Sequence, residues 1–189
     1  MRNCCIAVAV SFIVSSCTNN IYLHRIKIFL NASDTMAKCK YLAPGYHSFF
    51  EERKGEGKNK VAAMRSFLNW DAPLHPDITI INYSKKGNEW KVVFNEQNDF
   101  TKPIGFPGWK GTEIIRFDNK KRIVETLYIP GPGDPSYKRW LQPALDWLEK
   151  NRYAELNEVY QNGRLIQTNQ TAKKWAALLK LWKEETSKK

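Results

Sequence analysis

The run Tyr46-His47-Ser48-Phe49-Phe50-Glu51 holds the most direct acid–base possibility in the chain. In an extended strand alternate side chains share a face, so His47, Phe49 and Glu51 point one way and Tyr46, Ser48 and Phe50 the other. A histidine, with a reference pKa of about 6.5, beside a carboxylate on the same face is a general acid/base pair. His47 and Glu51 are therefore the candidate catalytic residues if that face lines a cavity. The alternative is a hydrogen-bonded strand histidine near a rim, with no chemistry.

Cys17 offers a different chemistry. Arg2 and the apolar run Cys4–Val14 precede Val14-Ser15-Ser16-Cys17, an aliphatic residue and two small ones before a cysteine. The run is short for a bilayer span, which needs about 20 residues, and suits a cleaved signal peptide. Its end resembles the bacterial lipobox, in which the cysteine is acylated and becomes the first mature residue. Several acyl chains, at about 0.8 kcal/mol per buried CH2, anchor a protein stably where one does not. The expectation is a signal peptide over 1–16, a lipidated Cys17, and a cell-envelope lipoprotein held at a membrane. A plain secretory signal, giving a secreted or periplasmic protein, and an uncleaved hydrophobic N-terminus are the alternatives.

Other chemistries find little support. Cys4, Cys5, Cys17 and Cys39 have no zinc-type spacing, and His24, His47 and His75 are scattered singly, so no metal site is expected. Gly55-Glu56-Gly57-Lys58-Asn59 is not a phosphate loop: its spacing is wrong and Asn59 stands where a hydroxyl is needed. No cofactor motif is present. The formal charge of +11 favours acidic partners such as anionic lipid, or else reflects a solvated basic surface. Nucleic-acid binding needs a docking element besides charge, and none is found.

The elements that must position these groups follow from periodicity. Tyr22, Ile26, Phe29 and Leu30 recur at helical spacing, predicting an amphipathic helix over 20–30. Ser33 or Asp34 can cap a second helix reaching about Leu42, which Pro44-Gly45 would end. A third helix carries Val61, Met64, Phe67 and Leu68. Residues 77–129 are strand-rich, with hairpins turning at 84–88 and 118–121. Trp90, Val92 and Phe94 share one strand face, as core or pocket wall. Beyond Pro130 a Pro/Gly linker leads to helices, the first interrupted by Pro143. An Asn-Gly turn follows at 162–163. The last helix carries a Trp175/Leu178/Leu179/Trp182 stripe, with its lysines on the solvated face.

This order resembles the nuclear-transport-factor-2-like superfamily, including its SnoaL-like members. Residues 28–50 resemble that family's opening helix, break and first strand; residues 57–69 resemble its third helix, and residues 108–129 its closing hairpin. The resemblance covers about 20–130 and implies an α+β domain: a cone-shaped curved antiparallel sheet packed on N-terminal helices. A pocket would lie between sheet and helices, and homodimers would form through the sheet. Cys17 to Asn19 would be a short tether, and 131–189 a helical C-terminal extension. By analogy Tyr46, His47, Trp90, Asp99, Glu113 and Tyr128 are the candidate pocket residues. The family's cyclases carry a catalytic Asp in the last strand. Tyr128 takes that place here, and a phenol of reference pKa about 10 cannot do a carboxylate's work near neutrality. The primary expectation is therefore an envelope-anchored domain that binds a small, partly apolar ligand or a protein partner. An isomerase, hydratase or cyclase of the same fold is the alternative, and a tail that docks on a partner is a third reading.

Overall fold

The computed structural model describes residues 20–32, 34–51, 57–131 and 137–188. The proposed signal peptide, tether and Cys17 lie outside the described residues. Helix α1 spans 20–30 and buries Ile26, Phe29 and Leu30, with Tyr22 packed beside them. Helix α2 (Thr35–Cys39) is capped by Asp34, whose carboxylate accepts from Ala37 N–H at 2.8 Å. It is shorter than the periodicity predicts. Ile123 N–H donates to Tyr41 C=O at 2.8 Å, drawing the chain into the sheet directly after the helix. Pro44-Gly45 therefore ends no helix; it lies inside β1 (Leu42–Phe50), within the register break between Leu42 and His47. A proline, lacking an N–H, is tolerated at such a break.

The two-residue strand β2 (Lys58–Asn59) leads into α3 (Lys60–Ser66), where the Asn59 side chain accepts from Ala62 N–H. The helix continues as a π turn over Phe67–Asp71 and a 3-10 turn over Ala72–Leu74. Its buried face is Met64 and Phe67; Val61 and Leu68, predicted to share that face, are exposed. Two hairpins follow: β3 (Asp77–Lys86) with β4 (Glu89–Gln97), and β5 (Trp109–Phe117) with β6 (Ile123–Pro130). The sheet order is β2-β1-β6-β5-β4-β3, with β1 parallel to β6 and every other pairing antiparallel.

The extension folds as α4 (Lys138–Asn151), α5 (Tyr153–Val159), the small hairpin β7 (Tyr160–Gln161) and β8 (Arg164–Leu165), and α6 (Asn169–Thr186). Pro143 does not break α4; it lies on the exposed face, where water can meet an unpaired carbonyl. Asn162 and Gly163 take positive φ (51° and 73°), the two-residue turn that an Asn-Gly pair favours.

The apolar interior forms two clusters. One joins α1 to Trp90, Val92, Ile115, Phe117 and Ile123 at one end of the sheet. The other joins α4–α6 to Leu74, Phe100 and Phe106 at the opposite end. Trp175, Leu178 and Leu179 are buried in it, and Trp182 packs on it. The Trp175 ring meets Phe100 edge-on at 5.6 Å, and its Nε1–H donates to Val159 C=O at 3.1 Å. Asn169, in the first turn of α6, donates to Leu68 C=O at 2.9 Å, fastening the extension to the π turn.

Candidate functional site

Between the two clusters the sheet is not filled. A cavity of about 630 Å³ lies between its inner face and helices α1–α3, within the range of small-molecule sites. The strand residues lining it come from β2, the middle and end of β1 and β6, the end of β4, and the start and middle of β3 and β5. The walls are mostly apolar, with Phe29 and Leu30 of α1, Met64 of α3, Phe67 of the π turn, and Phe94 of β4. Trp70 and Trp109 belong to both the cavity wall and the extension's cluster, so α4–α6 support this wall from behind.

One face of the sheet brings polar groups into this apolar setting. Tyr46 on β1, Thr126 on β6 and Glu113 on β5 stand on adjacent strands. The Tyr46 and Thr126 hydroxyls are 2.7 Å apart, and Thr126 favours the charged form of the neighbouring Glu113 carboxyl. Glu113 is paired across the ladder with Tyr128. Gly111, two residues before Glu113, gives Tyr128 its room: a Cβ there would stand 2.5 Å from the ring. Glu96 on β4 and Asp71 at the end of the π turn add two more carboxyls. Such π turns are rare and often mark functional sites. Lys38, from α2, donates to Phe29 C=O at 3.0 Å and lies over the Phe29 and Phe67 rings at 4.7 and 4.5 Å.

Four ionisable groups in one apolar cavity cannot keep their ordinary titrations, because each charge has lost water. Burial pushes Glu113 up to about 7; the ionised Glu96 adds to the rise, while Thr126 and Lys38 oppose it. Burial likewise pushes Glu96 up to about 7, reinforced by Asp71 and opposed by Lys38 and a hydrogen bond with Asn98. Asp71 is raised by burial against the pull of Lys38 and Lys58. Lys38 is lowered, since its own desolvation outweighs the carboxylates that favour its charge. Burial also raises Tyr46, which stays a neutral phenol. Two carboxyls poised near neutrality beside an ammonium can accept and return protons, and a phenol–hydroxyl pair can hold a substrate oxygen.

Of the residues singled out from sequence, Tyr46, Glu113 and Tyr128 line this cavity. His47 does not: it is exposed, and its Nδ1 lies 3.0 Å from Gly45 C=O. Glu51 is exposed beyond the end of β1. The condition for a catalytic His47–Glu51 pair is thus unmet, because the Tyr46–Ser48–Phe50 face is the one that turns inward. Trp90 is buried in the α1 cluster, at the filled end of the sheet. Asp99 lies outside the cavity, 2.7 Å from the exposed His75 ring. Lys38, Asp71, Glu96 and Thr126 were not read from sequence, although two of them continue apolar faces. Glu96 is the next residue on the Trp90–Val92–Phe94 face, and Asp71 lies one helical turn beyond Phe67. Among the described residues, no three His, Cys, Asp or Glu side chains are grouped to hold a metal ion.

No family model matches the sequence, and no curated protein matches it. Solved structures do. SalBIII, an epoxide hydrolase/cyclase-like enzyme with a role in pyran ring formation in the polyether salinomycin, aligns with a TM-score of 0.50 at 13% identity, over 61% of this chain and 95% of its own. An NTF2-like protein from Cytophaga hutchinsonii aligns at 0.44 and 10% identity, over 59% and 90% of the two chains. A SnoaL-like protein from Burkholderia thailandensis aligns at 0.45 and 15%, over 58% and 93%. The SalBIII likeness establishes a shared cone-type α+β fold and nothing about activity.

Proposed function

We propose that the cavity is an acid–base active site for a small, partly apolar substrate, of the isomerase, hydratase or cyclase class. The observation that carries this is the pair Glu113 and Glu96, both raised to about 7 inside one largely apolar cavity with Lys38. A purely structural carboxylate gains nothing from such a position, because burying it costs folding free energy. In this reading the ionised Glu113 removes a proton from a substrate carbon or hydroxyl. The Lys38 ammonium or a protonated Glu96 stabilises the oxyanion that develops, and Tyr46–Thr126 orients it. Return of the proton to a second substrate atom restores the enzyme; isomerisation and cyclisation consume no co-reactant, and hydration consumes one water. The geometry favours this reading over ligand binding without catalysis.

The envelope anchor belongs to the same proposal: Cys17, acylated after cleavage of 1–16, holds the domain at a membrane. Homodimerisation through the outer sheet face is also proposed, on the resemblance alone.

The test is solvent-proton exchange. The purified chain, incubated in deuterated buffer with a panel of small apolar ketones and enones, should wash deuterium into the enolisable positions. Glu113→Gln should abolish that exchange while still retaining ligand by native mass spectrometry. Ligand retention by both proteins with equal, background exchange would establish a binder instead.

A further inference from the structure

We propose that the end of the cone opposite the cavity is a docking surface for an anionic lipid membrane. Cationic side chains from four separate segments converge there: Arg25 of α1, Lys40 after α2, Lys85 and Lys86 of the β3–β4 turn, and Lys120 and Lys121 of the β5–β6 turn. The two turns are clasped together. Asn88 Nδ2–H donates to Phe117 C=O at 3.1 Å, and Phe117 N–H donates to Asn88 C=O at 3.1 Å. Arg25 binds the β5–β6 turn by donating to the Lys121 carbonyl, with Lys120 C=O at 3.4 Å. Its guanidinium lies 4.9 Å from the Tyr41 ring, and the Lys40 ammonium 5.4 Å from the same ring. Lys85 stands over Tyr22 and Trp90 at 5.0 and 5.6 Å.

Nearby acids do not cancel this charge. Asp118 is held by Arg122, while Glu89 and Glu125 are both held by Arg116. The basic groups therefore stand together at one end, where they can act jointly on a flat anionic partner. Their position relative to the rest of the chain selects that partner. The first described residue, Asn20, opens α1 at this same end, next to Tyr22 under Lys85, and Ile21 beside it is exposed. In the sequence the apolar run Cys4–Val14 ends six residues before Asn20. A membrane taking that run would meet the basic turns, and the cavity would open away from it. Each lysine or arginine near an anionic surface strengthens binding by about fivefold.

The inference is independent of the pocket's chemistry, so either can fail alone. The test uses the full chain carrying Cys17→Ser, so that no acyl chain contributes, and vesicles of phosphatidylcholine with or without about 30 mol% phosphatidylglycerol. The apolar run partitions into both, so the readout is the anionic-to-neutral ratio of partition coefficients. That ratio should exceed about tenfold at about 0.1 M salt and collapse at about 1 M. Lys85→Glu/Lys86→Glu/Lys120→Glu should lower it by roughly 100-fold or down to unity. Lys173→Glu/Lys183→Glu/Lys188→Glu, which changes net charge equally on and just after α6, should leave most of it. If the first triple variant loses its circular dichroism spectrum, Lys86→Gln/Lys120→Gln carries the same comparison with a smaller drop. Equal loss in the two triple variants would overturn the proposal, as would a ratio near unity in the parent. So would a DNA duplex that strips the chain from vesicles at equal phosphate concentration.

Discussion

Replacing Glu113 by Gln should make the protein more stable, and only above a particular pH. Glu113 titrates at about 7 in the folded chain, against an ordinary value of 4.5. Below pH 4.5 both states hold the proton, and the group does not affect stability. Between 4.5 and 7 the folded state keeps the proton while the unfolded state releases it, so stability falls as pH rises. Above 7 the full cost is present. At about 1.4 kcal/mol per pH unit, that cost is on the order of 3 kcal/mol. Glutamine stays neutral throughout, keeps nearly the same shape and can still bond the Thr126 hydroxyl. Lys38 is lowered by its own burial and shifts stability in the opposite sense, rising with pH; because Glu113 favours the Lys38 charge, its loss lowers Lys38 further and offsets part of the variant's gain. Urea unfolding followed by tryptophan fluorescence should therefore give equal free energies at pH 4.5. At pH 8.5 the Gln variant should lead by on the order of 3 kcal/mol. Equal stability at pH 8.5, or a less stable variant, would refute the assignment of a buried, high-titrating carboxyl.

Thr126→Val removes the hydroxyl that lowers Glu113, so the alkaline-going limb of any pH–rate profile should move to higher pH; kinetics against pH check this. Gly111→Ala sets a methyl 2.5 Å from the Tyr128 ring and should weaken ligand binding in calorimetry, with about 1–3 kcal/mol of destabilisation. Trp175→Ala empties the centre of the extension's cluster and should cost about 3–5 kcal/mol in denaturant unfolding. Removal of 170–189 should likewise lower the melting temperature. Cys17→Ser should release the protein from membranes or stall its processing, leaving 1–16 attached, in cell fractionation; wild-type protein isolated with 1–16 intact and no acyl chain would contradict the anchor.

The fold was legible because its signals are periodic. Ile26, Phe29 and Leu30 at helical spacing give α1, and the Gly87 and Asp118 turns give the two hairpins. Pro44-Gly45 misled, because a proline and a glycine read as punctuation whether they end a helix or sit in a strand's register break. The site was legible only in part. Tyr46, Glu113 and Tyr128 were found, but the choice between the His47 and Tyr46 faces of β1 depends on which side the helices cover. Strand alternation has no information on that. Glu96 and Asp71 each continue an apolar face by one step, a carboxylate where a core residue is due, and that signal was present. Lys38 had none: α2 is one short turn, and its lysine turns inward only because Phe29 C=O and two aromatic rings receive it.

The central claim is that two glutamates share the cavity and titrate near neutrality. Carbon-13 NMR of protein labelled at the glutamate side-chain carboxyl tests it directly, with Glu113→Gln and Glu96→Gln assigning the resonances. Two carboxyls should titrate at about 7, and removal of Glu96 should lower Glu113, since the ionised Glu96 raises it. Both resonances titrating at about 4.5, with Glu113 unmoved by loss of Glu96, would contradict the account.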